Sequence, residues 1–356
     1  MAADTSEPIG WGIIGCGVIA PFHARAVAAV AGARLVAVVD EVPERAAAAG
    51  AEFGVEAMTD LDAFLARPDI QAVSICVPSG LHATIGARAA EAGKHVLCEK
   101  PIDITLPAAD HLIATCRARG VKLGVISQNR FSPAMVQVRE ALAAGRFGRL
   151  LFGGAYIPWY RTQGYYDSGA WRGTWALDGG GCLMNQGIHY IDLLQWTMGP
   201  VERVVARAAT VAHQIEVEDV ALAILQFQNG ALGLIQGSTA IYPGLPERLE
   251  IAGEGGTAVV TAGKLSVWEF KDEKGEVGAY GAKVSADSAV TATGAADPAA
   301  ISGSTHAAQV ADLVAAIRED RDPAITGEAA RRPLELILAI YQSAREGREV
   351  SLPLKA

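Results

Sequence analysis

Residues 9–20 read "IGWGIIGCGVIA". An apolar run ends on glycine, and Gly15-x-Gly17-x-x-Ala20 leads into residues of helical spacing, "GVIAPFHARAVAAV" (17–30). A strand that turns through glycines into a helix is the pattern of a dinucleotide-binding βα unit. Glycine-rich turns are common, so the motif draws its weight from context. The next strand, "RLVAVVD", ends in Asp40, 20 residues after Ala20. Gly15 permits the tight turn. Gly17, followed by Val18 and Ile19, lets backbone approach a pyrophosphate at the helix N-terminus, and Ala20 keeps helix and strand close. Asp40 suits the adenosine ribose diol and repels a 2′-phosphate. Glu41 follows it in place of an arginine, so NAD is favoured over NADP.

The same alternation continues outward. "AVSICVP" (72–78), "HVLCEK" (95–100) and "VKLGVIS" (121–127) read as buried strands, separated by helix-like segments at 80–92 and 105–119. Apolar strands joined by helices predict a doubly wound parallel sheet over residues 1–127. From residue 128 the pattern changes. A helix near 132–144 stops at Gly145, and mostly antiparallel strands follow, with an Asn-Gly hairpin in "QFQNGALG" (226–233). Residues 278–304 are small and aperiodic and read as a long surface loop; helices over 305–318 and 328–346 close the chain. The expected division is therefore 1–127 and 128–356, a Rossmann domain and an α+β domain.

Composition narrows the function. The chain has 356 residues, of which 51% are hydrophobic, and a formal charge of −9. That excess of acid argues against a nucleic-acid or anionic-membrane partner. The opening "MAADTSEPIG" has no apolar run of the secretory kind, and no stretch reaches a spanning length. Five cysteines, an odd number with no CxxC pair, read as reduced thiols of a cytoplasmic protein and give no metal spacing. Cys98 and Cys182 lie near the motifs below and read as small buried residues.

Two further stretches carry chemistry. "HVLCEKP" (95–101) places Glu99, Lys100 and Pro101 at the carboxyl end of a buried strand, the edge where open α/β sheets bind ligands. "GGGCLMNQGIHYID" (179–192) puts three glycines before a helix. At about 100° per residue, Asn185, His189, Asp192 and Trp196 share one face of that helix. Its glycines are expected to leave room for substrate and nicotinamide. Asp192 either orients His189 or is a solvated helix residue.

These motifs carry a resemblance. "GCGVIA", "VPSGLHATIGARAAEAGKHVLCEKP", "GGGCLMNQGIHYIDLL" and "LELILAIYQSAREGREVSLP" resemble the glucose–fructose oxidoreductase/inositol dehydrogenase (Gfo/Idh/MocA) family along nearly the whole chain. The resemblance implies a Rossmann domain and a C-terminal α/β domain with a large open sheet. That sheet implies a homodimer or homotetramer. Sugars, cyclitols or nucleotide-linked sugars are the implied substrates. Lys100 matches the family's EKP lysine and His189 its helix histidine. Asn185 stands where many members have aspartate, as in the branch that includes 3-dehydrogenases of UDP-linked sugar acids. Pro78, Ser79, His82 and Glu99 are implied to line the cofactor cleft. Tyr156, Trp159, Arg161, Trp171, Arg172 and Arg130 form an aromatic and basic set suited to a sugar ring and an anionic group; Tyr156, Arg130, Trp171 and Arg172 are the substrate-binding candidates.

The chemistry divides between two side chains. An ordinary imidazole titrates near ~6.5 and is largely neutral at pH 7. Bringing lysine from ~10.4 to ~7 takes roughly 4–5 kcal/mol. His189 is thus the expected base, and Lys100 the cation that holds the hydroxyl and the developing alkoxide. Asn185 cannot ionise, so Asn185→Asp is expected to raise the histidine pKa. Two other readings stay open: an NAD-dependent glycosidase on the same scaffold, and a sugar- or dinucleotide-sensing protein without turnover.

Overall fold

A computed structural model describes residues 7–274 and 304–355. Of the stretch 278–304, residues 278–303 lie outside the described residues, and Ser304 begins a helix. The chain divides into two compact units: Met1–Gln128 with Ser302–Arg331, and Asn129–Ile301 with Arg332–Ala356.

The first unit holds a sheet of β1 (Ile9–Ile14), β2 (Ala33–Val39), β3 (Glu56–Met58), β4 (Ala72–Ile75), β5 (His95–Cys98) and β6 (Leu123–Val125). Its order is β3-β2-β1-β4-β5-β6 and every pairing is parallel. This is the doubly wound arrangement read from the alternating apolar runs. The order reverses between β1 and β4, and ligands of such sheets bind outside the strand ends at that point. Gly15 follows β1 with φ +94, and a Cβ there would meet the Cys76 carbonyl carbon at 2.7 Å, so the turn requires glycine. The helix Ser304–Arg318 belongs to this unit. Its Val310, Leu313 and Val314 join Trp11, Val27 and Leu97 in one buried cluster.

The second unit is built on β7 (Leu150–Pro158), β8 (Val201–Ala209), β9 (Val220–Phe227), β10 (Leu232–Ser238), β11 (Arg248–Gly253), β12 (Gly256–Thr261), β13 (Lys264–Phe270) and β14 (Val350–Ser351). The order is β13-β12-β11-β7-β10-β9-β8-β14, and only β7 with β10 is parallel. The mostly antiparallel sheet and the hairpin at Asn229-Gly230 follow the sequence reading; Gly230 has φ +86. Period-two alternation gives the sheet two unlike faces. Ala155, Ile157, Ile235 and Leu249 are buried, and Gly153 lies under Leu194 and Met198 of the helix Ile188–Met198. The opposite face exposes Val205 (42%), Leu222 (51%), Ile224 (63%) and Leu232 (57%).

Candidate active site

Each unit carries part of the candidate set. In the first, the glycine turn leads into the helix Ala20–Ala28, whose N-cap residue Ile19 makes no side-chain cap and whose first turn holds no acid. The first N–H groups of the helix are already bonded, Ala20 to the Gly17 carbonyl (3.1 Å) and Phe22 and His23 to that of Ile19 (3.0 and 3.4 Å), so an anion here is left to the turn before the helix and to the dipole of its end. A Cβ on Gly17 would meet nothing within 4 Å, and Val18 is 73% exposed beside it, so the turn leaves open space where a pyrophosphate fits. Asp40 stands at the end of β2. Its Oδ2 accepts from the Cys16 N–H (2.8 Å) and its Oδ1 from the Val42 N–H (2.9 Å), which ties the acid to the glycine turn.

At the edge of β5, the Lys100–Pro101 bond is cis and Lys100 is half-buried. Glu99 is turned inward instead of lining a cleft. Its Oε1 lies 2.8 Å from His23 Nε2 and 3.9 Å from His306 Nε2, and its Oε2 accepts from the Lys100 N–H (3.1 Å). Burial opposes ionisation there, but the His23 hydrogen bond and the charges of His23, His306 and Lys100 prevail and hold Glu99 at about 2. Burial, with the charge of Lys100 and against the pull of Glu99, brings His306 down to about 4. His23 Nδ1 lies 2.9 Å from Ser74 Oγ, which also accepts from the Trp11 indole. His23, Glu99 and His306 have the composition of a cation site, yet the close His23–Glu99 contact already satisfies the carboxylate. His82 is turned inward as well. It is buried, with its ring nitrogens against the carbonyls of Pro101 (2.6 Å) and Val77 (2.9 Å), so it pins two loops together. Burial pushes its pKa down. Ser79 is buried at the start of the turn Ser79–Leu81, and Pro78 before it is half-buried.

In the second unit, the glycine-rich stretch begins as a π-helix, Cys182–Gly187, and becomes an α-helix only at Ile188–Met198. The wider π turn breaks the 100° register, so Asn185 belongs to a different helical geometry from His189, Asp192 and Trp196. Such insertions are frequent at functional sites. The glycines have another purpose than clearing a ligand's path. A Cβ on Gly180 would fall 2.1 Å from the Tyr341 hydroxyl, and one on Gly181 would fall 1.8 Å from the Glu218 carbonyl oxygen. The chain must pass this close because the Glu218 carboxylate accepts from the N–H groups of Gly181 and Leu183 (both 2.9 Å) and from Tyr341 (2.8 Å). Burial raises the Glu218 pKa against these donors.

Asn185 and His189 are both half-buried. Asn185 Nδ2 donates to Asp178 Oδ1 (2.7 Å), and Asp178 Oδ2 accepts from the Gly173 N–H (2.9 Å). Next to Asn185, Gln186 donates to the Tyr165 hydroxyl (3.1 Å), which also accepts from Arg172 (2.7 Å). The Arg172 guanidinium lies over the rings of Tyr165 (4.5 Å) and Trp171 (4.6 Å). Arg161, buried, lies over Trp159 (5.1 Å) and Tyr165 (5.5 Å), and Glu247 anchors the Trp159 indole at 3.0 Å. Of the aromatic and basic residues read from the sequence, Trp159, Arg161, Trp171 and Arg172 are thus linked through Tyr165, which Gln186 joins to the glycine-rich stretch.

Two candidates do not join them. Arg130 is held by Asp192, with Nε to Oδ2 at 2.8 Å, and lies over Trp196 (5.1 Å). Asp192 is consequently neither solvated nor limited to its helix: it is buried in a bidentate pair, and Arg130's fork is turned to it rather than to a ligand. Tyr156 lies on the outer sheet face opposite Gln236 and Arg248, away from the helix bearing His189. Asp178, Tyr165 and Gln186 were missed by the sequence reading. The signal for Asp178 was its place directly before the glycines.

The residues 9–127 match the model of an oxidoreductase family with an NAD-binding Rossmann fold, and 135–259 match the GFO/IDH/MocA C-terminal domain. D-apiose dehydrogenase of Paraburkholderia graminis is 30% identical over 352 residues, 96% of this chain and 88% of that protein. Inositol 2-dehydrogenase of Rhizobium meliloti is 33% identical over 255 residues, 70% of this chain and 74% of that one. Among solved structures, the WlbA dehydrogenase of Bordetella pertussis, in complex with NADH and UDP-GlcNAcA, has a TM-score of 0.85 and 34% identity, covering 98% of this chain and 100% of that one. Among the described residues no helix is long and apolar enough to cross a membrane. With the glycine turn, Asp40 and the parallel sheet in place, the chain belongs to the GFO/IDH/MocA family of NAD-binding oxidoreductases.

Proposed function

We propose that this oxidoreductase moves a hydride between NAD(H) and a hydroxyl-bearing carbon of a sugar derivative, with nucleotide-linked sugar acids as its substrate class. The observation that carries the reading is the wall around Tyr165. Arg172 and Arg161 lie over Tyr165, Trp171 and Trp159, which offers aromatic faces to a sugar ring and guanidinium groups to a carboxylate or phosphate. The UDP-sugar acid named with the Bordetella relative belongs to that class and supports it.

Residues 1–127 with the helix Ser304–Arg318 serve the cofactor, and the second unit serves the substrate. NAD, when bound, supplies the carbon that accepts the hydride. Gly15, Gly17, Val18, Ile19 and Asp40 bind it through backbone and ribose contacts. His189 takes the hydroxyl proton as the carbinol is oxidised. Lys100 remains a cation, since neutralising it costs roughly 4–5 kcal/mol, and stabilises the alkoxide as it forms. The anionic Glu99 beside it favours that charge.

The outer sheet face, with Val205, Leu222, Ile224 and Leu232 exposed, serves assembly into a homo-oligomer. A reducing cytoplasm suits five free cysteines. The direct test is to release and identify any bound nucleotide, then screen polyols and UDP-sugar acids for absorbance at the reduced-nicotinamide band. Turnover with a UDP-sugar acid and NAD is the expected result. A preference for NADPH would overturn the role given to Asp40, and release of a sugar without net reduction would make the enzyme a glycosidase.

A further inference from the structure

The helix motif carries an amide at Asn185, and the structure sets a buried carboxylate beside it. Asp178 is 2% exposed. Both its oxygens accept from N–H donors, Oδ1 from Asn185 Nδ2 at 2.7 Å and Oδ2 from the Gly173 N–H at 2.9 Å. This is the acceptor-only pattern of an ionised acid. An amide has one donor end and one acceptor end. With its donor end fixed on Asp178, the acceptor Oδ1 of Asn185 is turned the other way. We propose that Asp178 is a positioning residue that sets the polarity of Asn185, so that position 185 presents a hydrogen-bond acceptor to a substrate hydroxyl or to a ring N–H of His189. This rests on the assignment of Asn185 and His189 to the proposed oxidoreductase site.

The pair also explains why asparagine stands here. An aspartate at 185 would place two carboxylates within hydrogen-bond distance, and one of them must then hold a proton. The earlier expectation for Asn185→Asp changes accordingly. The proton shared by the two acids replaces the amide N–H, and the new ionisation in a pH profile is that of the acid pair, with no simple rise in the histidine pKa. Asp178 acts on the phenols of Tyr165 and Tyr166, which burial raises and which stay neutral, and Arg172, which donates to the Tyr165 hydroxyl, stays cationic.

Asp178→Asn reverses the polarity. Its Oδ1 must face the Gly173 N–H, so its NH2 meets Asn185, whose amide then flips and presents a donor. In the exchange Asp178→Asn/Asn185→Asp, the new amide donates to the new carboxylate, and position 185 again presents an acceptor at unchanged net charge. Asp178→Asn is expected to lower kcat about 10- to 100-fold, in keeping with one misdirected buried hydrogen bond. The exchange variant is expected to recover most of that loss, and Asn185→Asp to add an ionisation to the pH profile. NADH affinity and melting temperature check that each variant is folded. An exchange variant no better than Asp178→Asn, or an unchanged kcat in Asp178→Asn, overturns the proposal. A turnover-free readout is the Asn185 side-chain amide NMR signal, identified by its loss in Asn185→Asp. It is expected to exchange slowly with solvent and to change in Asp178→Asn; rapid exchange in the parent protein contradicts the pair. If the parent enzyme oxidises no sugar derivative, the functional reading fails while this signal still judges the pair.

Discussion

Glu99 and Glu218 are the same residue, each more than nine-tenths buried and each adjoining one of the two candidate catalytic stretches, yet they titrate in opposite directions. Glu99, beside Lys100, is surrounded by His23, His306 and the lysine charge, and these outweigh burial. Glu218, under the glycine turn before Asn185, meets two backbone N–H groups and a phenol, all neutral, and burial prevails. At these two glutamates the difference lies in the charged partners that Glu99 has and Glu218 lacks. The first region is therefore arranged around charge, and the second around shape and hydrogen-bond direction.

The largest effects should come from the residues these frames support. His189→Ala and Lys100→Met are each expected to lower kcat by about 10²–10⁴-fold while NADH still binds. A pH profile that kept its acid-side fall in His189→Ala would remove the histidine from the role of base. Next come the glycines. Gly181→Ala drives a methyl group against the Glu218 carbonyl and should cost about 1–3 kcal/mol in chemical denaturation. Gly17→Ala enters open space, so stability should hold within about 0.5 kcal/mol while NADH affinity falls. Equal loss of stability in both would erase the contrast between the two turns.

Smaller effects should appear in the dependence of stability on pH. Glu99 lies below its ordinary 4.5, at about 2, so its contribution is full above 4.5 and is lost as pH falls toward 2. Glu99→Gln should flatten the acid limb of a melting-temperature profile. Glu218 is raised, so its contribution is full below 4.5 and is lost as pH climbs through the raised value. Glu218→Gln should flatten that limb instead. Parallel changes in the two variants would show that neither neighbourhood decides the titration. The smallest effect belongs to Tyr156→Phe. On the outer sheet face it should leave kcat and KM within about twofold, the scale of a surface change.

What could be read in the sequence was what is local. The glycine turn, Asp40 and Lys100 sit within single strand–turn–helix passages, where residue type and order carry the geometry. The parallel and antiparallel sheets followed from apolar runs and the Asn-Gly turn. The partners of the site were out of reach. His23 meets Glu99 across 76 residues, and Glu218 meets Tyr341 across 123. The π-helix was hidden because a sequence pattern assumes one turn angle throughout. Tyr156 was misplaced although alternation carried the answer, since Phe152, Gly154 and Tyr156 share one face and Gly153, Ala155 and Ile157 the other. Arg130 was read as a free cation because its acid lies 62 residues away.

The central claim is hydride transfer to NAD from a sugar-type hydroxyl. It is tested most directly by mixing the purified protein with NAD and UDP-linked sugar acids and following absorbance of the reduced nicotinamide. The account predicts formation of NADH with a matching amount of keto product, lost in His189→Ala. Tight NADH binding with no turnover of any nucleotide sugar, free sugar or polyol would contradict it.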